Sequence, residues 1–185
     1  MKRIIALMAL ALVCVGVSAK KEIPAGIRME IAEYEMNDNV YSLFTYKDDD
    51  GSTAYYMSLG REYRLIEGSV NNVVNMSLSH IDETCLFMGT TSDEVFKSFD
   101  ALQALLDQEI GTTLEFRCRQ TTGAERLGEE IPAICTVVRR PLEGKRLCFR
   151  FATKSRTAEA DIVKSAIKSL RSGLKFYLKL HPKEK

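Results

Sequence analysis

TCLFMGTTSDEVFKSFDALQALLDQEIGTTLEFRCRQ, residues 84–120, changes its hydrophobic period twice, and the fold class follows from those two changes. Thr84 to Met88 is a short β-rich run. From Thr91 onward Val95, Phe96, Phe99, Leu102, Leu106 and Ile110 recur at helical spacing, one apolar stripe of an amphipathic helix. Thr91 is placed to accept from the first turn, with Glu94 three residues on to reach back, the pattern of a capping box. Gly111 is the expected stop. Thr112 to Gln120 then alternates: Leu114, Phe116 and Cys118 take one side, Arg117 and Arg119 the other.

Working outward, the same alternation returns on both flanks. Ile27, Met29 and Ile31 oppose Arg28 and Glu30, which reads as a half-buried strand. Two β-rich runs, 39–47 and 53–59, flank Asp48-Asp49-Asp50-Gly51, a hairpin signal because glycine tolerates positive φ. Residues 62–67 and 73–79 are further strand candidates, and 131–139 with 145–152 read as a hairpin joined through Pro141 and Gly144. A second helix is expected from near Thr157, with Glu159 and Asp161 in its first turn and Ile162, Val163, Ala166, Ile167 and Leu170 as its buried stripe. Gly173 is its expected end. Residues 174–180 alternate with period two and read as a last strand, although a continued helix fits them too.

These pieces predict an α+β fold: a mostly antiparallel multi-stranded sheet with two helices packed on one face. A parallel doubly wound sheet is not expected, because only two helices are present for roughly nine strands. Cys85–Ser92 and Cys148–Ser155 are faintly alike, and each precedes a helical pattern, a glycine and a Leu-x-Phe. The likeness suggests a duplicated β-α-β unit.

Met1-Lys2-Arg3, the apolar run Ile4–Val17 and the small residues before position 20 have the form of a secretory signal peptide cleaved after Ala19. The run is 14 residues, short of the about 20 that span a bilayer. Val13 before Cys14 is wrong for lipoprotein-type acylation. The expectation is therefore a signal peptide at 1–19 and a single α+β domain at 20–185, periplasmic or secreted. After processing it should carry no transmembrane span and meet no cytosolic nucleic acid.

Net charge is +1, but the two halves differ. Residues 20–110 hold 7 Lys/Arg against 17 Asp/Glu, and residues 111–185 hold 17 against 8. Either the halves neutralise each other, or a basic face stays open for an anionic partner. Four cysteines follow the leader: Cys85, Cys118, Cys135 and Cys148. In an exported chain they permit disulfides; otherwise they pack as small hydrophobes. Cys118 should point inward with Phe116, and Cys148 outward with Arg146 and Arg150, so a Cys118–Cys148 bond is the least compatible pairing.

Motifs for catalysis are sparse. His80 and His181 lack ligand-spaced partners and read as a turn and a terminal histidine. The Asp48–Asp50 cluster lacks the spacing of a calcium loop. The sequence has no nucleophile elbow, Walker loop or dinucleotide fingerprint, so neither a cofactor nor a metal is expected. Six of seven tyrosines fall between Tyr34 and Tyr63, as a cross-strand ladder or an aromatic recognition surface. The candidate binding residues are Arg117, Arg119, Arg139, Arg140, Arg146 and Arg150, with Lys164, Lys168, Arg171 and Lys175 as a second basic stripe. The functional expectation is a non-catalytic binding or adaptor protein of the cell envelope, engaging an envelope protein or an anionic polymer through a basic sheet face. An enzyme using carboxylates and tyrosine, or a self-associating homo-oligomeric structural subunit, is the alternative.

Overall fold

The computed structural model describes residues 26–36, 39–70, 73–122, 126–141, 144–152 and 157–182, with side chains for all of these except 60–82, 122, 152, 157 and 158. The elements run β1 (Arg28–Met36), β2 (Asn39–Lys47), β3 (Thr53–Val70), β4 (Val73–Gly89), α1 (Ser92–Asp107), β5 (Thr113–Thr122), β6 (Arg126–Arg140), β7 (Gly144–Ala152), β8 (Thr157–Ile162) and α2 (Lys164–Leu180). The eight strands form one antiparallel sheet in sequential order, so the α+β class read from the sequence is the one observed. No described helix is long and apolar enough to cross a membrane. The segment 1–19 expected to be a signal peptide, with Cys14, and the His80 side chain lie outside the described residues.

Alternation sorts each strand's side chains to two faces. Leu43, Met57, Leu86, Cys118, Cys135, Val137, Leu147 and Phe149 face inward and join Phe99 and Leu102 of α1 and Ile167 and Leu170 of α2 in one core. Each such aliphatic or aromatic side chain contributes about 1.5–3 kcal/mol by leaving water, and this inner face dominates the fold's stability. α1 rests on β4 and β7 and touches α2, which rests on β1 and β2. The sheet curls around the helices far enough for Tyr41 Oη on β2 to donate to the Asp161 carbonyl on β8, at 2.7 Å.

Four local expectations are corrected. First, Thr157–Ile162 is the strand β8, not the start of a helix. Ala160 and Ile162 face the core, while Glu159 and Asp161 meet arginines on the outer side, so tertiary pairing overrides their fit to a helical first turn. Second, residues 174–180 continue α2, because Leu174 and Leu178 extend the stripe of Ile167 and Leu170. Third, Gly173 does not end that helix. It sits where α2 crosses β1, and a Cβ there would lie 2.4 Å from the Ala32 Cβ. Fourth, the suggested duplication fails in its second half, which inserts β8 before the helix and has no strand after it among the described residues.

The α1 start is nearly as read. Thr91 Oγ1 accepts from the Glu94 N–H at 3.3 Å. The Glu94 carboxylate accepts from Thr90, at its N–H (2.7 Å) and its hydroxyl (2.9 Å), one residue earlier than the capping box implies. The helix stops at Asp107, and Gly111, at φ +93°, instead makes the turn into β5. Its N–H donates to Val137 O at 2.8 Å.

Candidate functional site: the outer face of the sheet

The face away from the helices has two unlike regions. Over β2–β4 it carries a second, smaller core of Phe44, Tyr46, Tyr56, Cys85 and Leu127. Phe44 stacks on Tyr56 at 6.0 Å between centroids, and Tyr46 meets Tyr56 edge-on at 6.4 Å. The described tyrosines of this region thus build a structural ladder. Arginines roof it. Arg28 lies 4.7 Å above Phe44 and pairs with the fully buried Glu83. Arg119 is held by Asp48 (2.6 Å), the Tyr56 hydroxyl (3.2 Å) and the carbonyls of Leu127 and Gly128 (3.1 and 2.6 Å). Its donors are committed internally, so Arg119 is a tie between the acidic and basic halves. Arg126–Asp49, Lys164–Asp107 and Arg171–Asp100 pair across the same division. The Asp48–Gly51 cluster is the β2–β3 turn: Asp50 accepts from the Ser52 N–H at 2.8 Å, and Gly51 adopts φ +86°.

Over β5–β8 the outer face is different. Register places Glu115, Ile134, Arg150 and Glu159 in one row across four strands. Arg117 faces Pro132 in the next row. Ile134 is 47% exposed. The Arg117 side chain, 60% exposed, lies 4.3 Å over the Phe87 ring and 3.7 Å from Glu130. Arg150 is comparably exposed and is gripped by Glu159 through Nε (2.9 Å) and Nη2 (2.6 Å). An exposed apolar centre, Ile134 beside Pro132, is thus bracketed by two guanidinium groups whose positions are already set.

Toward the β6–β7 hairpin the outer face is closed. Arg140 forks onto Asp161 at 2.8 and 3.0 Å. Burial opposes ionisation of Asp161, but the Arg140 bonds outweigh it and hold the carboxyl below its ordinary value. Arg150 does the same for Glu159 by direct hydrogen bonding. Arg146 is half-buried beside Tyr41 and Asp161. Arg139 lies on the inner parity of β6, at the exposed strand end, apart from the other five. The six arginines read from the sequence therefore separate: Arg117 and Arg150 border an open patch, Arg119, Arg140 and Arg146 are built into the sheet, and Arg139 sits at the hairpin tip.

The β4–β5 ladder ends at the Leu86–Cys118 pair, because the chain leaves β4 for α1 and returns only at Thr113. Shallow open depressions lie on either side of Arg117. One is lined by Phe87, Thr90, Lys97 and Ser98, the other by Glu115, Glu130 and Pro132. The four cysteines are free and buried. Cys118 points inward and Cys148 outward, as alternation requires. Burial pushes the Cys118 and Cys135 thiols up to about 12 and Cys148 to about 11, which leaves little thiolate for chemistry. Among the described residues no group of three or more His, Cys, Asp or Glu is placed to hold a metal.

Sequence reasoning missed Ile134, Pro132 and Phe87 as parts of this surface. Its available signal was parity: Ile134 lies between inward Ala133 and Cys135, so it must face outward. Comparison with family models, with curated proteins and with solved structures finds no match.

Proposed function

We propose that the chain is an exported, non-catalytic binding protein of the cell envelope that docks a partner protein on the outer face of β5–β7. Ile134 and Pro132 form the centre of the contact, and Arg117 and Arg150 its rim. The observation that supports this most strongly is the exposed Ile134 between two pre-positioned guanidinium groups. An apolar centre desolvates on contact, and arginine is favoured at such interfaces because its planar fork spans apolar and carboxylate partners. Fixing Arg117 on Phe87 and Arg150 on Glu159 in the free protein removes part of the ordering cost of association. A folded partner is favoured over an anionic polymer, since Arg119, Arg140 and Arg150 each bring a bound carboxylate to this face. Export rests on the charged and apolar start of the sequence.

The test is an Ile134→Asp/Arg117→Glu double variant with unchanged circular dichroism, compared with the parent for retention of a partner from envelope extract. The parent should retain a defined protein and release it with salt, and the variant should lose it. Equal retention by both, or a parent that binds only a heparin column, would overturn the proposal.

A further inference from the structure

The exposed side of α2, the helix packed on the inner face of the sheet, carries a second surface separate from the Arg117 patch on the outer face. α2 buries Ala166, Ile167, Leu170, Leu174 and Leu178 against the sheet. That stripe, with half-buried Tyr177 packed against the same core, accounts for its apolar residues with two exceptions. Phe176 is 65% exposed and Leu180 62%, the two most exposed large hydrophobic residues described. They stand one turn apart on the solvent side, so they form one apolar ridge. Lys168, Lys175 and Lys179 lie alongside it, all exposed. Arg171 and Lys164 on the same helix are paired with Asp100 and Asp107, but these three lysines have no acidic partner among the described residues. Small Ser165 and Ser172 complete the solvent side, and no bulky side chain stands between Phe176 and Leu180 on that side among the described residues of the helix.

We propose that this face of α2 lies on the surface of an anionic phospholipid bilayer, with Phe176 and Leu180 in the headgroup–acyl boundary and Lys168, Lys175 and Lys179 among the phosphates. Unpaired lysines beside exposed Phe and Leu are the combination that binds a helix at such an interface: the cations draw it to the negative surface and the apolar pair inserts. Each lysine near an anionic surface strengthens partitioning about fivefold. A second protein would instead leave the three ammonium groups facing an acidic patch and would be indifferent to lipid. The proposal is independent of the Arg117 patch, which uses other residues on the outer face of the sheet.

The chain contains no tryptophan, so Phe176→Trp places one fluorophore on the ridge. The full-length variant is titrated with vesicles of phosphatidylglycerol and phosphatidylcholine and with phosphatidylcholine alone. The expected result is a blue shift, and quenching by brominated acyl chains, with the anionic vesicles only. Lys168→Gln, Lys175→Gln and Lys179→Gln together, in the Phe176→Trp background, should weaken binding at least about tenfold. The N-terminal segment is the same in both chains, so it cannot produce that difference. No shift or quenching with anionic vesicles, equal affinity after removal of the three lysines, or a blue shift that grows with protein concentration without lipid would each overturn the proposal; the last would mark a self-association face.

Discussion

Replacing Gly173 by Ala should destabilise the protein, although the same change in an ordinary helix stabilises it. Ala exceeds Gly by about 0.8–1.0 kcal/mol in helix propensity, so α2 on its own would gain. In the folded chain the new methyl would meet the Ala32 Cβ at 2.4 Å, whereas carbon atoms pack at about 3.5–4.0 Å. The opposing atom belongs to a β-strand and cannot rotate away, so helix and strand must part by more than about 1 Å. Overpacking of this kind costs about 1–3 kcal/mol. The expected net loss is up to about 2 kcal/mol, a fall of about 1 M in the urea midpoint at an m-value of about 2 kcal/mol/M. Ala32→Gly removes the opposing methyl, and in that background Gly173→Ala should become neutral or stabilising. The assay is a urea titration of the four chains by circular dichroism, read as a double-mutant cycle. A parent midpoint that rises on Gly173→Ala, or no coupling to Ala32→Gly, would refute the proposed close approach of α2 to β1.

Thr91→Ala should lower stability by about 1 kcal/mol through loss of the α1 N-cap, again read from the urea midpoint. Asp161 and Glu159 titrate below their ordinary values in the fold, so their contribution is present above the unfolded carboxylate range and is lost as pH falls through those lowered values. The thermal midpoint should therefore drop below about pH 4. Asp161→Asn should lower it at neutral pH and flatten that acid limb; an unchanged limb would dismiss the Arg140–Asp161 pair as a source of stability. Cys85, Cys118, Cys135 and Cys148 should resist a thiol reagent in the native protein and react on denaturation. Four thiols are expected if the chain is cut after Ala19, and five if Cys14 is retained.

Much of this architecture was legible because its strands alternate. Arg117 against Cys118, and Arg150 against Phe149, already divide the sheet into an inner and an outer face. What misled was local preference. Glu159 and Asp161 suit a helix start, yet ion pairs with Arg150 and Arg140 across β7 and β6 hold them in a strand. Residues 174–180 fit both periods, and the contact of Leu174 and Leu178 with the core, which no local pattern contains, decides for helix. Gly173 resembled a terminator because a packing requirement and a stop signal use the same residue. The arginine cluster was read as one basic face since sequence shows charges but not which are neutralised. Arg119 and Asp48 are far apart along the chain and meet only across the folded sheet.

The outer patch is tested most directly by a photo-crosslinking amino acid at position 134, with the same group at Ser165 on α2 as the control. In envelope preparations the residue-134 chain should form one defined protein adduct that disappears on Arg117→Glu, and the residue-165 chain should not form it. Equal adducts at both positions, or none at 134 while the protein remains folded, would contradict a docking surface centred on Ile134.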